Sequence, residues 1–139
     1  MHLSRHTVRL IGAACAAVMA AIYYLIGLGL LNVGAAADGS DAPSMLVFGG
    51  LAGSAFLLGA ILLVLFDRRW IWWLGLIFQL FVYFAYVQVS GIRNPPFEMW
   101  GISLRIIELP LTIVLVYLAV TPTDLERRTE AQVRIKDLD

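Results

Sequence analysis

The stretch RIIELPLT, residues 105–112, places a cation, a carboxylate and a helix breaker inside one apolar run. At about 100° per residue Arg105, Glu108 and Thr112 share a helix face, and the i to i+3 spacing lets the arginine and the glutamate pair. The chemistry open to this pair is narrow. It comprises an anion contact through Arg105, a proton-exchanging acceptor in Glu108, or an internal ion pair that fixes helix register. Counted from Gly101 at about 1.5 Å per residue, Arg105 lies about 6 Å and Glu108 about 10 Å into the run. A charge at the centre of a membrane span costs about 2.5–3.5 kcal/mol on insertion scales, so both groups are expected to face protein or water.

Other apolar runs offer partners at similar depth. Gln79, Tyr83, Tyr86 and Ser90 recur at i, i+4, i+7 and i+11, one face of a helix. The same rise puts Tyr83 about 9 Å and Gln79 about 15 Å below Val89, Tyr24 about 10 Å below Leu31 and Ser54 about 13 Å below Met45. The expectation is a polar cluster of Tyr24, Ser54, Gln79, Tyr83, Arg105 and Glu108 inside a bundle. Pro110 removes a backbone donor and crowds the carbonyl of Ile106, which predicts a helix kink beside Glu108. Freed backbone groups are tolerated in a membrane only against protein or water, so the break is expected to face the same interior.

The elements that must position these groups follow from composition. The chain has 139 residues, 60% apolar and 14% charged, against about 45–50% and 25% for a soluble domain. Four runs reach the roughly 20 residues needed to cross about 30 Å of hydrocarbon: 10–31, 45–66, 70–89 and 101–120. The fold class expected is an all-α membrane protein, a four-transmembrane-helix bundle over residues 1–120. The tail, 121–139, carries Thr123 three residues before Glu126, a capping-box pattern that opens a short amphipathic helix. The apolar run after "MHLSRHTVRL" exceeds the about 7–15 residues of a signal-peptide core, so the first run is read as a retained span.

Packing chemistry differs along the chain. Small residues at four-residue spacing, Gly49 with Gly53 and Ala55 with Gly59, predict close approach of spans one and two. The third span is aromatic, and Trp70, Trp72 and Trp73 directly after Asp67, Arg68 and Arg69 are expected to form an interfacial belt. The loop "NVGAAADGSDAPS" has turn chemistry, and Pro95 and Pro96 suit a helix start that places Glu98 in its first turn.

Charge and residue counts exclude several functions. Net charge is zero, so a nucleic-acid partner has no electrostatic footprint. His2 and His6 precede the first span, leaving no intramembrane histidine for zinc or haem. The lone Cys15 can form no internal disulfide and reads as a small apolar residue. No phosphate-cradling loop appears, and Ser54 has no His or Lys partner in sequence. No catalytic residue, metal site or cofactor is therefore assigned. Small multidrug transporters carry their carboxylate in the first helix, where this chain has no acid.

Arg5, Arg9, Arg68, Arg69, Arg127, Arg128, Arg134 and Lys136 sort to one side of the four spans, with Arg93 alone in the opposite loops. The positive-inside tendency then places both termini in the cytoplasm, and the Ala- and Arg-rich composition suits a bacterial inner membrane. The functional expectation is a non-catalytic accessory or small-ligand-binding component in a lipid bilayer. Its partners would be a small amphipathic ligand, another membrane protein or further copies of itself. The alternative is a small solute or proton-coupled transporter using Glu108.

Overall fold

Ser4 opens the first helix by accepting the backbone N–H of Thr7 at 3.1 Å, the side-chain capping that relieves orphan donors at a helix start. In the computed structural model, which describes residues 4–31, 42–90, 99–123, Glu126 and Thr129, the regular structure among the described residues is all α-helical. The four helices are α1 (Arg5–Gly27), α2 (Ala42–Leu65), α3 (Arg69–Ser90) and α4 (Met99–Val120). Each is long and apolar enough to cross a membrane, as the four-span reading expects.

The boundaries shift for identifiable reasons. α1 starts at Arg5, ahead of position 10, because Ser4 caps it. It ends at Gly27, short of Leu31, because Gly29 adopts a left-handed φ of +69°. Leu30 N–H then reaches Leu25 O and Gly29 N–H reaches Ile26 O, both at 3.0 Å. This is the paired Schellman closure that a glycine at that position permits. α2 starts at Ala42, ahead of position 45, and takes Pro43 out of the expected loop into its first turn; the rest of that loop and Glu98 lie outside the described residues. Thr123 N–H donates to Glu126 Oε2 at 2.7 Å, and Glu126 N–H donates back to Thr123 Oγ1 at 3.3 Å. That is the capping box expected at the start of the tail; beyond Thr123 only Glu126 and Thr129 are described.

Packing runs in the order α2, α1, α4, α3, because α1 contacts both α2 and α4 while α3 rests on α4. The α1–α2 seam is closest at Gly27 and Gly49. A Cβ added to Gly49 would stand 2.5 Å from Gly27 Cα and 2.6 Å from Tyr23 O, so only glycine allows this approach. Gly53 likewise leaves room for the ring of Tyr24, which a Cβ would meet at 3.1 Å. The second small pair behaves differently. A Cβ on Gly59 would meet nothing within 4 Å, so Ala55 and Gly59 do not serve the seam and instead line a cleft beside α3.

Met19, Leu118 and Trp72 are the largest fully buried side chains. Trp72 therefore departs from the expected interfacial belt: Trp70 and Trp73 are exposed, while Trp72 enters the core. Helical geometry explains the split. Trp72 shares the buried stripe of Leu76 and Gln79 at i, i+4 and i+7, and Trp70 and Trp73 point off it.

Candidate functional site

Arg105 and Glu108 form the predicted i, i+3 ion pair through Nη1 and Oε2, with side chains 12% and 5% exposed. Helix α4 supplies both, and each neighbouring helix supplies part of their surroundings. From α1, Tyr23 OH accepts from Arg105 Nη2 at 2.9 Å. From α3, the Tyr86 ring lies beneath the guanidinium, 4.9 Å from Cζ to centroid, a cation–π arrangement worth about 0.5–2 kcal/mol depending on desolvation. Gly101, one turn before Arg105, lets that ring lie against α4, since a Cβ there would sit 2.5 Å from it.

Gln79 reaches the same place from α3 and is only 4% exposed. Its Nε2 donates to the Glu108 carbonyl at 3.4 Å, and Thr112 Oγ1 donates to that carbonyl at 2.9 Å. Aromatic rings complete the surroundings. Tyr23 stacks on Phe56 of α2 at 5.4 Å, and Phe56 meets Phe78 of α3 edge-on at 5.5 Å. Such ring pairs add about 0.5–1.5 kcal/mol beyond the area they bury. All four helices thus meet at one level.

The pair is incompletely satisfied. Arg105 Nε and Glu108 Oε1 are buried and have no hydrogen-bond partner among the described residues. Buried polar atoms are almost always paired, and leaving one unpaired costs about 1–3 kcal/mol. Among the described residues no three His, Cys, Asp or Glu side chains come together as a metal site.

No protein-family model, curated protein or solved structure matches this chain. The reading therefore rests on geometry.

Three of the expected cluster residues, and the expected facing of Pro110, need revision. Tyr83 is 53% exposed. α3 packs mainly against α4 and buries a narrow stripe, which takes in Gln79 and leaves Tyr83 outside. Tyr24 and Ser54 bond each other at 2.9 Å at an exposed place, a polar clip on the α1–α2 seam that has no bond to Arg105, Glu108 or Gln79. Pro110 lies inside α4 and is exposed, so it does not share the interior of the ion pair; the outward Ile106 stands on the same side. Tyr23 and Tyr86 take the vacated places in the cluster. The signal for Tyr23 was the small-residue stripe of α1, Ala16, Ala20, Tyr23 and Gly27, which marks the packed face more surely than depth does.

A second polar assembly went unforeseen. Arg5 grips Asp67 through Nε at 3.0 Å and Nη2 at 2.9 Å. It also donates to Leu118 O at 3.0 Å and, through Nη1, to Thr121 O at 3.1 Å and to Thr121 Oγ1. Arg9 donates to Leu63 O and Val64 O at 2.8 and 2.7 Å. Arg69 reaches Ala119 O and Val120 O at 3.2 and 3.4 Å. These arginines satisfy the orphan carbonyls of α2 and α4, helices with no basic residue in their own last turns, where a cation also complements the helix dipole.

Proposed function

We propose that this chain is a non-catalytic multi-pass membrane protein that binds a small amphipathic ligand at the Arg105–Glu108 pair. The observation that carries this reading is the buried Glu108 Oε1 and Arg105 Nε, which have no partner among the described residues. A pair kept only to fix helix register gains nothing from unmet hydrogen-bonding capacity in an apolar bundle, whereas a ligand with complementary groups would use it. Native mass spectrometry of protein gently extracted from its own membrane tests this. The expected result is a defined small molecule that is lost in Arg105→Met and Glu108→Gln. A stable complex with another membrane protein and no ligand would make the pair architectural.

A second reading, a proton-coupled solute transporter, is favoured by the same unpartnered oxygen, since a proton carrier needs a carboxylate that can exchange its proton. Solute uptake by vesicles containing this protein alone, abolished in Glu108→Gln, would establish it over the binding role. We further propose that the end bearing Arg5, Arg9, Arg68 and Arg69 faces the cytoplasm across a bacterial inner membrane, from the charge sorting of the sequence. A reporter fused after Gly39 is expected to be external, and a cytoplasmic reporter would reverse the orientation.

A further inference from the structure

Helices α2 and α3 are joined by only the residues 66–68, yet they leave a cleft of about 280 Å³ between them. Its walls are largely apolar: Phe56, Gly59 and Leu62 from α2 face Trp72 and Phe78 from α3. Leu58 and Leu74 also line it and are more than half exposed, so the cleft opens sideways to the surroundings of the bundle. Gly59 borders open space, with nothing within 4 Å of a Cβ built on it.

Two polar side chains break the apolar lining. Gln79 stands in the wall and is hydrogen-bonded through Nε2 to the Glu108 carbonyl. Trp72, also in the wall and 1% exposed, has an indole N–H with no hydrogen-bond partner among the described residues. They lie seven residues apart on one stripe of α3, about 10 Å along the helix. An apolar cavity of about 150 Å³ is enough to hold benzene, so this one accommodates a substantially larger body.

We propose that the cleft is the lateral binding chamber for an uncharged, oxygen-bearing lipophile that enters from the bilayer between α2 and α3. Its hydrocarbon body packs on Phe56, Leu62 and Phe78, and its oxygen meets the Gln79 amide or the Trp72 indole. This assignment rests on the ligand-binding reading and supplies an apolar approach to the pair: neither charged side chain lines the cleft, and Gln79 in its wall is bonded to the Glu108 carbonyl. An ionic ligand is disfavoured, since no charged side chain lines the cleft.

The test is photolabelling of the full-length protein in lipid nanodiscs with an octanol that carries a diazirine, compared with the matching diazirine octane. Adducts are expected on the cleft walls and are expected to be competed by unlabelled octanol. Gly59→Phe, which fills open space, is expected to abolish them with the fold retained, and Ala55→Phe serves as the second filling variant. Gln79→Leu and Trp72→Phe each remove one polar contact. The pair of substitutions together is expected to erase the preference for alcohol over hydrocarbon, about tenfold on the scale of one buried hydrogen bond.

Equal labelling by octane and octanol, unchanged by both polar variants, would overturn the proposal and make the cleft a seat for lipid tails. Absence of cleft adducts would overturn it too. Retention of a native ligand in Gly59→Phe, with its loss in Arg105→Met, would sink the chamber and leave the binding reading standing. Octanol selectivity in the cleft, with a native ligand indifferent to Arg105 and Glu108, would do the reverse.

Discussion

Two arginines that reach into this bundle, Arg5 and Arg105, sit in opposite states of satisfaction. Arg5 spends its guanidinium on a carboxylate, a hydroxyl and two backbone carbonyls drawn from the α2–α3 turn and the end of α4. Arg105 holds Glu108 and Tyr23 and leaves Nε without a partner among the described residues, while its carboxylate leaves Oε1 likewise. A buried charge is stabilising only where geometry and extra hydrogen bonds offset its desolvation. The contrast is between an assembly whose bonding capacity is spent on holding helices and one with unmet capacity, the feature on which the ligand-binding proposal rests.

The comparison is broken or sharpened first by removing each arginine's contribution. Arg5→Ala removes the guanidinium from Asp67 and from the Leu118 and Thr121 carbonyls at once, and loss of one partner of a buried pair costs about 3–5 kcal/mol. Unfolding in detergent is expected to show that loss, with α4 and the α2–α3 turn exchanging amide hydrogens first. A loss below about 1 kcal/mol, the scale of an exposed ion pair, would equate the two assemblies and remove the contrast.

The opposite sign is expected at the other site. Replacing Arg105 and Glu108 together by Met and Leu removes two incompletely bonded charges, and such exchanges are often neutral or stabilising by about 1–4 kcal/mol. A more stable double variant that has lost its bound molecule would identify stability given up for function. Strong destabilisation of the same variant would mean the pair is structural. Glu108→Gln alone is the harsher probe. It keeps the side-chain shape but leaves the Arg105 charge without its carboxylate, so a loss of about 3–5 kcal/mol is expected, and the double variant is the one in which ligand retention and stability separate.

Which parts of this were legible in the sequence follows from what each signal measures. Hydropathy runs identified α1 to α4 because length and apolarity alone decide a span. The i, i+3 spacing of Arg105 and Glu108 announced their pairing because both lie on one helix and need no tertiary information. Tyr23 was displaced by Tyr24 because depth along a helix says nothing of azimuth, and only the direction of the small-residue stripe fixes which tyrosine turns inward. Tyr83 was misplaced for a related reason: a residue on the correct helix face is buried only where a neighbour covers it, and the order α2, α1, α4, α3 leaves α3 with few neighbours. The Arg5 assembly was illegible because its partners lie 62 and 116 residues away. In sequence, those arginines registered only as charges outside a span.

A smaller effect is expected at the Tyr24–Ser54 clip. Its hydrogen bond at 2.9 Å is exposed, so Ser54→Ala should cost no more than about 0.5–1.5 kcal/mol and leave ligand retention unchanged. Loss of the ligand in Ser54→Ala would return the clip to the binding cluster and widen the site beyond Arg105, Glu108 and Gln79.

The mildest prediction concerns the far edge of the Arg5 assembly, where Thr123 and Glu126 cap the tail. The Glu126 carboxyl is held below the usual carboxylate range, chiefly by the hydrogen bond from the Thr123 backbone N–H, with the Arg69 and Arg5 charges acting in the same direction. A group whose folded value is depressed adds stability above its unfolded value and loses it as pH falls through the folded one. Protection of the Thr123 and Glu126 amides, meaning exchange relative to the intrinsic rate at each pH, is therefore expected to be high at neutral pH and to fall as the medium is acidified below the ordinary glutamate range. Thr123→Ala removes the hydroxyl half of the box, a change typically worth about 1 kcal/mol of helix stability, and leaves the Thr123 N–H that lowers the carboxyl. Its protection should be lower at every pH with the acid-dependent step preserved, whereas Glu126→Gln should abolish the step. Disappearance of the step in Thr123→Ala would mean that the hydroxyl, and not the backbone N–H, governs the carboxyl, and the tail would then be held by its own side chains independently of the arginine assembly.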